Sequence, residues 1–203
     1  MTEYTISCDT FHRLCGIIDH KDAELHPSWK TLRIDNGCAV VTDRKYMAIE
    51  NIGGPSGIVH IIADPELVAQ CEQEAKFSSR LTIVVNEMLK FAVAKTTFGY
   101  ETKTNVFYAD EIDQAWLRWR SIVMQCKEPA TKPNGGMYWD SVKLTNLANS
   151  SPSAHVVFEQ TIDVNRPALI RDVNDYNWLG VFNPYSSIMT YNNATLPTWM
   201  TEA

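Results

Sequence analysis

Leu32-Arg33-Ile34-Asp35-Asn36-Gly37-Cys38-Ala39-Val40-Val41-Thr42 is the stretch on which the fold turns. Leu32 to Asp35 alternates like a half-buried strand, Asn36-Gly37 is a two-residue hairpin signal, and Cys38 to Thr42 runs back as a second strand. Upstream, Thr5-Ile6-Ser7 is a short extended piece. A helix follows, with Asp9 or Thr10 as its cap and Phe11, Leu14, Cys15 and Ile18 at helical spacing. Downstream, Tyr46 to Ile52 supplies a third strand before the turn-rich Gly53-Gly54-Pro55-Ser56-Gly57.

This order restarts twice. Ile58 to Ile62 is a strand, Asp64-Pro65 caps a helix carrying Leu67, Val68, Cys71 and Ala75, and strands follow at Leu81–Val85, Leu89–Ala94 and Phe98–Thr102. Gly136 to Trp139 is a third opening strand. Asp140 or Ser141 caps a helix with Val142, Leu144 and Leu147, and His155–Glu159, Ala168–Arg171 and Trp178–Phe182 close the round. The pattern is β-α-β-β-β, three times. One such unit cannot bury its apolar surface alone, so two units packed together form the smallest stable block. The expected fold class is α+β, with helices on one face of antiparallel sheets. The expected division is a complete two-unit domain over 1–122, a linker over 123–135, a half-domain over 136–186 and a polar tail over 187–203.

Local strings as well as topology resemble the bacterial-type DNA sliding clamp, whose domains are each built from two β-α-β-β-β units. Leu32 to Gly37 followed by Val40-Val41-Thr42-Asp43-Arg44-Lys45-Tyr46-Met47-Ala48 is similar to the clamp hairpin leading into T-D-G-H-R-L-A. Ala115-Trp116-Leu117-Arg118-Trp119-Arg120-Ser121-Ile122 stands where the family has F-P-D-Y-R-R-V-L. Pro167 to Arg171 and Trp178 to Tyr185 resemble the closing strands. A first clamp domain and the start of the last one have no counterpart. The small size and pared-down repeats suit a viral replication protein.

The resemblance implies a peptide pocket with Thr42, Arg44, Lys45, Tyr46 and Met47 on one wall and Val181, Phe182, Asn183 and Pro184 on the other. Met and aromatic side chains make such a surface adaptable. Periodicity alone reads Met47, Val181 and Phe182 as core residues of two strands. Arg44 and Lys45 replace the family's G-H, and Asn183 replaces a methionine. The resemblance also implies helices that present cations to phosphates without reading bases: here Arg13, His20, Lys21, Lys76, Arg80 and Lys143. The implied partners are a DNA polymerase, a clamp loader and double-stranded DNA, with the chain acting as a homo-oligomer. About four chains of three units would reach the roughly twelve units of a clamp ring. The rival is a clamp-derived adaptor or decoy that binds a replication protein without encircling DNA.

The charge balance restricts both readings. Lys and Arg number 18 against 24 Asp and Glu, a formal net charge of −6. Residues 1–122 carry 13 basic and 17 acidic side chains, and 123–203 carry 5 and 7. Neither part is a basic module, so DNA contact would come from a few residues within an acidic shell. Trp116 to Arg120 reads either as a nucleic-acid stacking segment or as a domain end whose tryptophans fill an interface. Leu196-Pro197-Thr198-Trp199-Met200 reads either as an apolar plug for the peptide pocket or as a surface end.

No G-x-S-x-G, P-loop or G-x-G-x-x-G occurs, and Asp110, Glu111 and Asp113 read as a solvated loop, so no enzyme is expected. The five cysteines form no C-x-x-C pair and the five histidines no ligand spacing, so neither a metal nor another cofactor is expected. No apolar run spans a bilayer and no secretory signal is visible, which leaves a cytoplasmic expectation.

Overall fold

Ser7 takes the chain directly from strand to helix. Its backbone is extended and its Oγ accepts from the Thr10 amide at 2.9 Å, so it is Ser7, not Asp9 or Thr10, that caps the first helix. The computed structural model describes residues 1–20, 29–43, 46–107, 118–126, 141–158 and 167–182. The expected strand at 136–139 and the tail at 187–203 lie outside them.

Unit 1 comprises β1 (Thr2–Ser7), α1 (Cys8–Cys15), β2 (Thr31–Asp35), β3 (Cys38–Thr42) and β4 (Tyr46–Asn51). Unit 2 comprises β5 (Ile58–Ile62), α2 (Pro65–Ala75), β6 (Arg80–Asn86), β7 (Phe91–Thr96) and β8 (Glu101–Phe107). The last two strands begin later than expected, because Lys90 and Gly99 adopt positive φ and make Leu89 and Phe98 turn residues. A helix not foreseen, α3 (Trp119–Cys126), crosses the expected boundary at 122 into the expected linker. Unit 3 supplies α4 (Ser141–Asn149), β9 (Val156–Phe158), β10 (Ala168–Asp172) and β11 (Trp178–Phe182).

The described strands form one sheet in the order β1-β6-β7-β8-β5-β2-β3-β4-β11-β10-β9. Units 1 and 2 exchange their opening strands: β1 pairs with β6 over six residues, and β5 with β2 over five. Unit 3 joins through β11, antiparallel to β4 from Tyr46↔Phe182 to Glu50↔Trp178. Gly180 is needed there. A Cβ on it would lie 2.6 Å from Ile170 Cγ1 and 2.7 Å from Trp178 Cη2.

Strand alternation separates two cores. Leu32, Ile34, Ala39, Val41, Tyr46, Ala48, Trp178 and Phe182 face α1, α2 and α4, and with Phe11, Leu14, Leu67 and Leu147 form the larger one. Val40, Met47, Ile49, Leu169 and Val181 face the other way, under Trp119, Val123 and Cys126 of α3 and beside Trp29.

Candidate functional site

The two expected pocket walls meet as neighbouring strands. Met47 lies opposite Val181 and Tyr46 opposite Phe182, with the last two rings stacked at 6.4 Å between centroids. Because residues alternate, Tyr46 and Phe182 face the helices while only Met47 and Val181 share the opposite face. The turn before them is fixed locally. Thr42 Oγ1 donates to the Tyr46 carbonyl at 2.6 Å, and Asp43 Oδ1 accepts from the Tyr46 amide at 2.8 Å. Thr42, Tyr46, Met47, Val181 and Phe182, the five expected pocket residues among those described, are buried, Met47 the least of them at 7% exposed. α3 packs into the same cluster as Met47 and Val181, through Trp119, Val123 and Cys126. Arg44, Lys45, Asn183 and Pro184 lie outside the described residues.

The expected cations divide into committed and exposed. Arg13 donates to Asp9 at 2.7 Å, to Glu50 at 3.0 Å and to the Ser150 carbonyl that follows α4. Only 12% of its side chain is exposed, so it does not stand out toward a ligand. It is held inward by Glu50, a buried carboxylate that also accepts from Thr10 Oγ1 at 2.8 Å. Burial raises the Glu50 pKa, and Arg13 acts against that rise. Lys143 on α4 is likewise paired, with buried Asp43. His20 is half-buried, and burial and nearby Lys30 lower its pKa, which disfavours the cation. Lys76, the C-cap of α2, and Arg80, the first residue of β6, are exposed. Around them α2 exposes Glu66 and Glu72. Lys21 lies outside the described residues.

A buried polar cluster on the α3 side joins Arg33, Asp35 and His60, for which the sequence offers no site reading, to Trp119 and Arg120 of the Trp116–Arg120 segment. Asp35 Oδ2 accepts from Arg33 Nε at 3.0 Å and Nη2 at 2.6 Å, from Trp119 Nε1 at 2.8 Å and from Arg120 Nη1 at 2.7 Å. His60, across the strands from Arg33, is fully buried with Nδ1 3.1 Å from Thr31 Oγ1. Burial pushes the Asp35 carboxyl up, but hydrogen bonds from Trp119, Arg120 and Arg33 outweigh it and its pKa is lowered. Burial and the Arg33 charge push His60 down to about 3. Trp119 and Arg120 are thus committed to the Asp35 side of the sheet, and Arg120 also stacks 4.2 Å from the Trp119 ring. The available signal was the alternation Thr31, Arg33, Asp35, which places a cation and an anion on one face of a strand.

Beside the end of α1, a cleft of about 600 Å³ is lined by Ile17, Ile18, Asp19 and His20 and by Val142, Lys143 and Asn146 of α4. Among the described residues no cluster of His, Cys, Asp and Glu has the make-up of a metal site. No helix among them is long and apolar enough to cross a membrane.

Paired β-α-β-β-β units, their helices α1, α2 and α4 on one face, and a sheet continuous through the joint to the next unit together define the DNA-clamp fold. The particular neighbours are bacterial. The DNA polymerase sliding clamp from Pseudomonas aeruginosa superposes with a TM-score of 0.55 at 13% identity, covering 92% of this chain and 67% of that one. The sliding clamp (DNA polymerase III subunit beta) from Bartonella birtlesii, solved bound to griselimycin, gives 0.57 at 15% identity, covering 92% and 66%. The chain therefore spans about two thirds of the length of those clamps. No family model matches the chain, and no curated protein is similar to it in sequence.

Proposed function

We propose that this chain is a sliding-clamp-like processivity factor that holds a DNA polymerase on duplex DNA as a homo-oligomeric ring. The observation that carries the reading is the β4–β11 joint, where the strands of units 1 and 2 pass into those of unit 3 without a break in the sheet. One domain and a half cannot surround a duplex, so encirclement needs several chains. Tethering raises the effective concentration of polymerase at the primer end, and dissociation no longer stops synthesis. The polymerase peptide would enter at the joint, between walls of Thr42, Arg44, Lys45, Tyr46 and Met47 and of Val181, Phe182, Asn183 and Pro184, and would have to displace α3 from Met47 and Val181. Lys21, Lys76 and Arg80 would meet phosphates without reading sequence. A clamp loader would open the ring, in the cytoplasm, and no catalysis is involved.

One observation favours the second reading, an adaptor or decoy that binds a replication protein without encircling DNA. Arg13 and Lys143 are spent on Glu50 and Asp43, which leaves the helical face poor in available cations. Retention on nicked circular DNA separates the two. A ring stays on the circle and is lost after linearisation, while an adaptor is retained on neither. Failure to lengthen polymerase products at any protein concentration overturns the processivity reading.

A further inference from the structure

We propose that the corner where the end of α2 meets the β7–β8 turn is a stacking site for single-stranded nucleic acid. Phe77 and Phe98 are its platforms for unpaired bases, and Lys76 and Arg80 meet the phosphates. The two rings lie edge to face with centroids 5.7 Å apart, yet they stay 69% and 62% exposed. Apolar residues scattered singly over a surface are ordinary. Two rings held against each other from separate turns are a different matter, because the fold has to bring them together.

Both turns are tied to one buried carboxylate. Glu74, in the last turn of α2, accepts from Gln70 Nε2 at 2.9 Å and Thr96 Oγ1 at 2.6 Å on one oxygen, and from Ser79 Oγ at 2.7 Å on the other. Thr96 ends β7 and Ser79 leads into β6, so the acid braces the two segments that carry the rings. A second tie runs beside it. The Thr97 amide and hydroxyl donate to the Arg80 carbonyl at 3.0 and 3.2 Å, and the Arg80 amide donates to Thr97 Oγ1 at 2.9 Å. Rings on so fixed a support need little further ordering when a base stacks on them.

Charge complements the rings. Lys76 precedes Phe77 in the chain, and Arg80 is bonded through its backbone to Thr97, the residue before Phe98. Both cations are exposed and, among the described residues, neither stands in an ion pair, although Glu72 lies one turn before Lys76. Arg13 and Lys143, by contrast, are paired. The exposed neighbours Gln73, Ser78, Thr97 and Gly99 are polar or small. They form no aliphatic wall of the kind that takes the side chain of an apolar peptide. Open ring faces beside two such cations fit a base and its phosphate: every base has a π-face, so stacking tolerates sequence, and arginine adds cation–π attraction.

This inference goes beyond the proposed function: encircling a duplex needs no aromatic corner, and stacking at this corner needs no ring. The test is fluorescence anisotropy of the full chain with a labelled linear oligothymidylate of about 20 nucleotides. Saturable, salt-sensitive binding at micromolar protein is expected. Phe77→Ala combined with Phe98→Ala should weaken it at least about tenfold with far-UV circular dichroism unchanged, whereas Phe77→Tyr with Phe98→Tyr should stay within about threefold of wild type. An abasic strand of the same length should bind wild type as weakly as oligothymidylate binds the double alanine variant. Lys76→Gln and Arg80→Gln should each reduce the slope of log affinity against log salt by about 0.7. Met88→Ala, 93% exposed at the opposite end of β7, should leave binding unchanged. No binding at about 100 μM, an alanine variant that binds like wild type, or an abasic strand that binds equally well overturns the proposal. So does an alanine variant that alters sedimentation but not strand affinity, which would assign the rings to a contact between copies. Retention on circular DNA is read separately: ring-face binding of the linear strand without retention defeats encirclement and leaves this site standing, and retention without it does the reverse.

Discussion

The two faces of the central strands bury charge in opposite ways. On the helix-covered face Glu50 is held by Arg13 and Thr10, yet its pKa remains raised, because burial outweighs its partners. On the α3 face Asp35 is buried more deeply, and its pKa is lowered, because Arg33, Trp119 and Arg120 converge on one oxygen. The difference lies in the number and placement of donors. Glu50 is a tolerated charge that gives up little on protonation, whereas Asp35 is a hub that fixes α3 to the sheet.

That contrast is broken most severely at Asp35. Asp35→Asn removes the anion but leaves Arg33 buried without a counter-charge, a situation that costs about 3–5 kcal/mol. Chemical denaturation should show this loss, together with increased protease cutting near α3. A variant within 1 kcal/mol of wild type would mean that the cluster is well solvated. On the other face, Arg13→Ala strands Glu50. The expected loss is smaller, about 2–3 kcal/mol, because a carboxyl whose pKa is already raised escapes by taking up a proton. The loss should therefore shrink toward pH 5, and a loss constant from pH 5 to pH 8 would contradict the assignment.

The faces also differ in how legible they were. The helix-covered face follows from local rules: helical spacing of Phe11, Leu14 and Cys15, alternation in the strands, and Asn36-Gly37 setting the hairpin register. Those signals are short-range and fixed the repeat. Arg33 and Asp35 sit in the same hairpin, but their partners Trp119 and Arg120 are about 85 residues further on, and no local period reports a pairing at that distance. Arg13 and Lys143 looked like presented cations for the same reason. The acids that claim them, Glu50 and Asp43, are brought near only by the fold. The walls at Met47 and Val181 were legible as a pair; that α3 packs over them was not.

Acid should act on the α3 face before the other. His60 has its folded pKa pushed down to about 3 against an ordinary 6.5, so between those values the unfolded chain binds the extra proton. Its contribution is present above the unfolded value and lost as pH falls. Between pH 7 and pH 5 the expected loss is about 2 kcal/mol, with half-buried His20 shifted in the same direction. Asp35 adds a further loss only below the ordinary carboxylate range. Glu50 works the other way, since a raised pKa favours the folded state as pH falls. His60→Gln should flatten the slope of stability against pH over this range. An unchanged slope would place the titration elsewhere.

The smallest effect tests whether the helix-covered face acts as a unit. Ser7 caps α1 through the Thr10 amide, and its hydroxyl also donates to Thr10 Oγ1 at 2.8 Å, which in turn donates to Glu50. The helix start is therefore wired to the buried carboxylate and through it to Arg13. Ser7→Ala alone should cost about 1 kcal/mol, the usual worth of a cap. Were the cap independent of the charge pair, Ser7→Ala and Arg13→Ala would add. Because both act on Thr10 and Glu50, the double variant should depart from additivity by at least about 0.5 kcal/mol, as contacting residues do. A control with Asp64→Ala, which caps α2 through Glu66 N and has no link to Glu50, should add to Arg13→Ala within error. Additivity in both pairs would show that the face is a set of separate contacts. Coupling at Ser7 alone would show that a helix cap and a buried charge pair report on one another through a single threonine.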